Sequence, residues 1–283
     1  TTVENYRKLK EAGIGTYILF QETYHKPTYE YQHPKGPKHN YEYHTTAMDR
    51  AMQGGIDDVG IGVLFGLYQY KYDFVGLLMH AKHLEDTFGV GPHTISVPRI
   101  RPADGIETAE FPNAVGDKTF KKLVAILRIA VPYTGIIVST RESEQSRSEV
   151  LEVGVSQVSG ASCTSVGGYA DREKAHTEQF EIEDTRTLDE VVGWLMDTGH
   201  IPSFCTACYR EGRTGDRFMQ LAKAGQIGNV CGPNAIMTLK EYLMDYASPE
   251  TRVKGERLIE KEVAKIPNDK VREIVRERLV KLE

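Results

Sequence analysis

The stretch Asp58-Val-Gly-Ile-Gly-Val63 is a short run, apolar after its first residue, and it decides the fold class. A helical pattern follows over residues 73–88, and a second apolar run, His93-Thr-Ile-Ser-Val97, comes next. Neither run alternates strictly between apolar and polar residues, which is typical of strands buried on both faces. Strands separated by helices, without hairpin turns, indicate parallel pairing because a parallel neighbour needs a crossover.

The same alternation extends in both directions from this centre. Further strands are predicted over residues 16–20, 135–139 and 154–158, further helices over 2–12, 43–52, 117–130 and 143–151, and a long polar loop over 21–40. Polar residues follow the strands, as at the C-terminal rim of a (β/α)₈ barrel. We therefore predict an α/β fold, a partial TIM-type barrel of about five βα units. A doubly wound open sheet is the alternative, but no G-x-G-x-x-G turn follows any strand.

The pattern changes near residue 170. Residues 171–186 are charged, and the remainder reads as helices around a Cys-rich loop, so we expect a barrel portion over 1–170 and a helical module over 171–283. A closed barrel needs eight units. The chain opens on a helix and on Thr1 rather than Met, and we expect three units to precede it.

Composition excludes several classes of protein. The chain has 283 residues, a net charge of −5 and four cysteines. A general nucleic-acid or anionic-membrane binder needs a basic face, and a disulfide scaffold of this size needs many more cysteines. No apolar run approaches the length of a membrane span. We expect a soluble, cytoplasmic enzyme with no nucleic-acid or membrane partner.

The strongest local motif is Cys205-Thr-Ala-Cys208, followed after 22 residues by Cys231. A C-x-x-C turn lets two thiolates converge on one metal centre, and soft thiolates select zinc or iron–sulfur clusters. Zinc would need a fourth ligand, for which His200 and Cys163 are the candidates. Three thiolates alone suit a [4Fe–4S] cluster with one open iron. The cysteine spacing alone favours neither a zinc site nor an iron–sulfur cluster.

A second set of candidate residues lies on or beside the predicted barrel strands. Carboxylate and guanidinium groups after strand ends suit a zwitterionic or anionic ligand, and strand glycines permit close approach to a flat one. A helical His pair three residues apart shares one face. The residues are Glu22, Arg50, Gly62, His80, His83, Arg99, Arg101, Ser139, Thr140 and Arg141. Helix-capping ion pairs and ordinary packing are the alternatives for each.

Four segments in combination resemble a known family. They are Gln21-Glu-Thr-Tyr-His25, Asp58-Val-Gly-Ile-Gly-Val-Leu-Phe-Gly66, Ser96-Val-Pro-Arg-Ile-Arg-Pro102 and Ser139-Thr-Arg-Glu142. They resemble the aromatic amino-acid lyases of the radical S-adenosylmethionine (radical SAM) superfamily, and the resemblance covers essentially the whole chain. The C-x₂-C-x₂₂-C module points to the branch that serves [FeFe]-hydrogenase maturation. The C-x₃-C-x₂-C loop of the superfamily is absent, and we expect it before residue 1.

The resemblance implies a partial radical SAM barrel with a helical auxiliary-cluster domain. In that family S-adenosylmethionine, cleaved at one [4Fe–4S] cluster, starts the conversion of L-tyrosine to p-cresol and dehydroglycine. A second cluster with a labile fifth iron converts the glycyl fragment to CO and cyanide, for delivery toward hydrogenase maturation partner proteins.

The resemblance also assigns roles to residues of this chain. Cys205, Cys208 and Cys231 would hold the auxiliary cluster, with His80, or more weakly His83, on the labile iron. Arg141 would clamp the tyrosine carboxylate, helped by Ser139 or Thr140, with Arg99 and Arg101 as competitors. Glu22 and Arg50 would contact the methionyl part of S-adenosylmethionine, and Gly62 would allow its close approach.

Two other functions remain open on the sequence. The tyrosine lyase of thiamine biosynthesis shares the barrel, but a second cluster module is not expected in it. The alternative that is not an enzyme is a non-catalytic, zinc-stabilised α/β scaffold. Since the SAM-cluster loop is absent, we expect that this chain alone does not produce 5′-deoxyadenosine.

Overall fold

The structure is a computed structural model that describes residues 1–101, 111–170 and 180–282. It divides into two compact units, Thr1–Thr185 and Arg186–Glu283. The expected boundary at 170/171 adjoins residues 171–179, which lie outside the described residues, as does Pro102 of the third family segment. Asp184 belongs to the first unit, where it forms a fully buried ion pair with Arg147.

The first unit is built on a five-stranded sheet in which every strand pairs in parallel with its neighbour in chain order. The strands are β1 (Tyr17–Phe20), β2 (Val59–Gly62), β3 (Thr94–Ser96), β4 (Gly135–Val138) and β5 (Gln157–Val158). Sequential parallel order with helical crossovers is the arrangement of a (β/α) barrel. The predicted partial TIM-type fold is therefore confirmed.

Helices connect these strands and cover one face of the sheet. They are α1 (Val3–Glu11), α2 (Lys26–Gln32), α3 (Tyr41–Thr45), α4 (Ala47–Gln53), α5 (Tyr70–Phe88), α6 (Asp117–Ala130) and α7 (Glu144–Leu151). Hydroxyl side chains begin two of them, since Thr2 accepts from Asn5 N and Ser143 accepts from Ser146 N. Such N-caps satisfy amide groups that the first helical turn leaves unpaired.

Two predictions for residues 21–53 were wrong. The expected polar loop contains α2, which His25 caps and whose first turn contains Pro27. The expected single helix over 43–52 is two helices separated by Thr46, whose ψ of 16° breaks the helical path. A helix as short as α2 leaves little periodic signal, and its buried Tyr29 is fixed by tertiary packing.

The two faces of the sheet differ in their side chains. Val59 and Ile61 are buried on the helix-covered face, which α4 and α5 pack against. The opposite face, the interior of a closed barrel, carries Ile18, whose residue surface is 46% exposed. Gly62 also lies on that face, and a Cβ there would lie 2.9 Å from the Ser96 carbonyl oxygen. Glycine is thus required by strand packing.

The second unit is helical around its own core. Its helices are α8 (Leu188–Asp197), α9 (Ala207–Arg210), α10 (Gly215–Lys223), α11 (Gly228–Asp245), α12 (Pro249–Lys265) and α13 (Asp269–Leu282). Leu239, Leu243 and Ile259 are among the residues of the hydrophobic core. No described helix of either unit is long and apolar enough to span a membrane.

Candidate functional site

Glu142 organises the polar residues beyond the ends of β3 and β4. Its carboxylate accepts from Arg99 Nε at 3.0 Å and from Arg101 Nη2 at 2.8 Å. Arg99 and Glu142 are only 3% and 1% exposed. Burial alone would lower the pKa of Arg99, but its bonds to Glu142 and Asp117 raise it above the usual value. Arg99 and Arg101, the two competitors of Arg141 for an anionic ligand, are therefore already paired with a carboxylate.

Arg141 is placed differently. Its guanidinium carbon lies 3.5 Å from the centre of the Phe180 ring, and among the described residues no carboxylate lies within ion-pair distance of it. Burial lowers its pKa, while the charges of Glu22 and Glu142 act in the opposite direction. Next to it, the Thr140 hydroxyl is buried and has no hydrogen-bond partner in the described parts of the chain. The Ser139 hydroxyl accepts from Arg141 N at 3.4 Å. This arrangement offers a cation and two hydroxyl groups to an anion.

Glu22 follows β1 in a backbone conformation rare for its residue type. Its φ is +70°, in the left-handed region that favours glycine. The buried carboxylate of Asp73 holds the next two residues, because one oxygen accepts from the Thr23 hydroxyl and from Tyr24 N, both at 2.8 Å. The Glu22 carboxylate pairs with Lys38. Its charge also acts on Arg141, so the structure brings these two predicted site residues together.

Two other predicted residues have structural surroundings of their own. Arg50 stacks on the Tyr43 ring at 3.8 Å and donates to the Thr1 carbonyl at 2.9 Å and the Thr46 hydroxyl at 2.7 Å. These contacts tie α4 to neighbouring backbone. Gly62 is enclosed between β1 and β3, and the packing of its neighbours accounts for a glycine at this position. For both, the proposed contact with S-adenosylmethionine stays a prediction.

His80 lies on α5, against the helix-covered face of the sheet. Its Nδ1 shares a 2.8 Å hydrogen bond with the Tyr24 hydroxyl, while its Nε2 is buried without a partner among the described residues. Burial lowers its pKa to about 4. His83 contacts Asp49 at 2.6 Å, and both histidines line a cavity of about 820 Å³ between α4 and α5. Their assignment to iron stays a prediction from the resemblance.

The three cysteines of the C-x₂-C-x₂₂-C module lie in the second unit. Cys205 and Cys208 flank the start of α9, and Cys231 lies in the first turn of α11. Burial raises the pKa of the Cys231 thiol, and Cys208 and Cys205 raise it further. Cys231 therefore lies within electrostatic range of the other two cysteines, and all three are free thiols.

Three thiol side chains are the donor type that an iron–sulfur cluster takes, and their role as cluster ligands stays a prediction. Within the described residues, no three His, Cys, Asp or Glu side chains converge on a single ion position. Cluster ligation spreads three thiolates over three irons and leaves the fourth iron open. Of the candidate fourth ligands for zinc, His200 contacts the Thr198 hydroxyl at 3.1 Å, and Cys163 belongs to the first unit.

Comparison with known proteins places the chain among sequenced and solved relatives. Residues 96–201 match the Biotin and Thiamin Synthesis associated domain. A 2-iminoacetate synthase of Salmonella typhimurium is 32% identical over 201 residues, 70% of this chain and 52% of that protein. The crystal structure of HydG, a maturase of the [FeFe]-hydrogenase, is 61% identical over 100% of this chain and 61% of its own, with a TM-score of 0.96. This chain belongs to the HydG family.

A second HydG structure, from Carboxydothermus hydrogenoformans, is 40% identical over 99% of this HydG-family chain, with a TM-score of 0.80. The resemblance read from the four sequence segments is thus confirmed. The chain spans about half the length of the curated relatives, 52% of each, and 60–61% of the two HydG structures.

Two residues that hold the geometry of the candidate site were not predicted from the sequence. Asp73 looks like an ordinary acidic residue in the first turn of α5, and Glu142 looks like an acidic residue before a helix. A weak signal existed for Asp73, since Leu77, Ala81 and Leu84 follow it at helical spacing and form the buried face of α5. Arg99, the partner of Glu142, lies 43 residues away in sequence, so local pattern could not identify this pair.

Proposed function

We propose that this chain carries the substrate site and the auxiliary-cluster site of a tyrosine lyase of [FeFe]-hydrogenase maturation. The proposed reaction cleaves L-tyrosine to p-cresol and dehydroglycine and makes CO and cyanide from the glycyl fragment. S-adenosylmethionine, a second [4Fe–4S] cluster and maturation partner proteins belong to the activity of the whole protein. The single observation that carries the substrate assignment is the guanidinium of Arg141, which lacks a carboxylate partner among the described residues.

In this proposal Arg141 binds the carboxylate of L-tyrosine. A guanidinium presents paired N–H donors that match the two oxygens of a carboxylate. The buried Thr140 hydroxyl, without a partner of its own among the described residues, donates a further hydrogen bond. Glu142 keeps Arg99 and Arg101 paired, so that they do not compete for the substrate.

Glu22 is the proposed contact for the ammonium group of the methionyl part of S-adenosylmethionine. A carboxylate is the complement of an ammonium group, and Glu22 stands at the end of β1, the rim where barrel enzymes place their chemistry. Its left-handed φ is held by the Asp73 contacts to the next two residues. Strained backbone of this kind clusters at functional sites.

Cys205, Cys208 and Cys231 are the proposed ligands of the auxiliary [4Fe–4S] cluster. When bound, the cluster would supply a redox-active iron with an open position for the glycyl fragment and for the labile fifth iron. The chain's own contribution is to present three thiolates from two segments. Cys231 N is bonded to the Ile227 carbonyl at 2.8 Å, which fixes one of these segments.

Tyrosine binding to this chain tests the substrate site. Arg141→Gln should weaken L-tyrosine binding measured by titration calorimetry roughly 10- to 100-fold, since a charge-assisted bond contributes about 1.5–3 kcal/mol. Tyramine, which lacks the carboxylate, should bind both forms equally and weakly. An affinity loss in Arg101→Gln that equals the loss in Arg141→Gln would refute the assignment.

Anaerobic reconstitution with iron and sulfide tests the cluster site. The expected product has about four irons and four sulfides per chain, the composition of a [4Fe–4S] centre, and Cys231→Ser should abolish it. A product that contains stoichiometric zinc and shows no visible absorbance would favour the zinc-stabilised scaffold. Cys163→Ser is the matched control, because Cys163 lies in the first unit, and it should leave the cluster intact.

A further inference from the structure

Residues 180–184 form a short segment, here called the strap, that is bonded to the loop after β4. The backbone N–H groups of Glu183 and Asp184 both donate to the Thr140 carbonyl at 3.1 Å. The Glu183 carboxylate also pairs with Arg101 Nη1 at 2.6 Å. These bonds hold the strap against the loop in which the proposed carboxylate site lies.

Phe180 begins the strap, and its side chain lies against Arg141. The Arg141 guanidinium carbon is placed over the Phe180 ring, 3.5 Å from the ring centre. The Phe180 carbonyl accepts from the Thr164 hydroxyl at 3.1 Å, so the residue is bonded on one side and followed by the anchored strap on the other. A guanidinium over an aromatic ring gains both cation–π attraction and stacking.

The Phe180 ring is the contact that holds the Arg141 guanidinium within the described parts of the chain. No described residue accepts a hydrogen bond from this guanidinium. In contrast, Arg99 and Arg101 are each fixed by hydrogen bonds to the Glu142 carboxylate. Stacking occupies a face of a guanidinium and leaves the N–H donors at its edge available. Arg141 is therefore oriented by the ring while its donors stay open to a ligand.

We propose that Phe180 is a positioning residue for the substrate carboxylate, which it serves by stacking on Arg141. The ring restricts the guanidinium before the ligand arrives, so less side-chain freedom is lost on binding. It also keeps water from one face of the cation, and a lower local dielectric strengthens the attraction to a carboxylate. The inference rests on the proposed function, because it takes Arg141 as the carboxylate site, and it adds Phe180 to that site.

Titration calorimetry with L-tyrosine compares Phe180→Leu and Phe180→Tyr with the parent chain, after far-UV circular dichroism has shown that each variant folds. Phe180→Leu removes the ring, so we expect roughly three- to tenfold weaker binding. Phe180→Tyr keeps an aromatic face and should bind like the parent. Tyramine, which lacks the carboxylate, should bind Phe180→Leu and the parent equally. Trp194→Leu removes the ring under Arg186 in the second unit and, as the matched control, should leave L-tyrosine affinity unchanged.

A double-mutant cycle shows whether Phe180 acts through Arg141. In the Arg141→Gln background, Phe180→Leu should weaken L-tyrosine binding by roughly twofold at most, because the guanidinium that the ring orients is gone. An equal loss in both backgrounds, an equal loss for tyramine, or no loss in Phe180→Leu would overturn the inference and leave the carboxylate site standing. If Arg141→Gln itself leaves L-tyrosine affinity unchanged, the proposed carboxylate site fails, and the role of Phe180 fails with it.

Discussion

Replacing Glu142 with Gln removes the counter-charge that holds Arg99 and Arg101 together. Glu142 and Arg99 are 1% and 3% exposed, and Arg99 Nε lies 3.0 Å from the carboxylate. Charges about 4 Å apart attract by about 4 kcal/mol at an effective dielectric constant of about 20. The Gln amide oxygen remains a hydrogen-bond acceptor, which retains about 1 kcal/mol of the lost stability. We therefore expect Glu142→Gln to lower the free energy of unfolding by about 3–5 kcal/mol, as for other buried pairs that lose one partner.

Urea denaturation followed by far-UV circular dichroism measures this loss, and hydrogen exchange of the α7 peptide localises it to the first unit. Glu149→Gln is the matched control, since Glu149 lies on α7 and pairs with Lys121 at 3.8 Å with its side chain 38% exposed. That change should cost less than about 1 kcal/mol. The double variant Arg99→Met with Glu142→Leu should recover part of the stability, because it leaves no buried charge of this pair alone. A Glu142→Gln effect no larger than the control would refute the reasoning.

Three further changes test other parts of the first unit. Asp73→Ala removes the hydrogen-bond acceptor that holds the turn after Glu22, so thermal denaturation should show a free energy of unfolding lower by about 2–3 kcal/mol. An equally large loss of stability in Asp73→Asn, which keeps an acceptor, would contradict this account. Gly62→Ala places a methyl group 2.8 Å from a neighbouring phenyl carbon, so we expect urea denaturation to show a free energy of unfolding lower by about 1–3 kcal/mol. Gly228→Ala, with open space around its Cβ, is the control and should leave the stability unchanged or raise it. Burial lowers the pKa of His80 from 6.5 to about 4, so in that pH window the unfolded chain binds a proton that the folded chain excludes. Stability should fall as the pH drops, by about 1.5 kcal/mol from pH 6.5 to 5, and a urea midpoint in His80→Gln with the same pH dependence as the parent would exclude this cause.

The strands and long helices were predictable from local pattern. The run at 58–63 and its neighbours are short apolar segments separated by helical periodicity, and parallel pairing follows from the crossover lengths alone. Helix α6 has the predicted bounds of 117–130. By contrast α2 was missed, because seven residues carry too little periodicity and its formation depends on packing Tyr29.

The sequence by itself determined the βα alternation, the three-cysteine module and the four segments that identify the family, because each is written in residue type and short-range spacing. Only the tertiary structure decided which arginine of the strand-end set is available. Arg99 and Glu142 are 43 residues apart, and no local pattern reveals that their pairing leaves Arg141 as the cation without a carboxylate among the described residues. Electrostatic pairing acts through space, so its outcome depends on how the fold brings distant charges together.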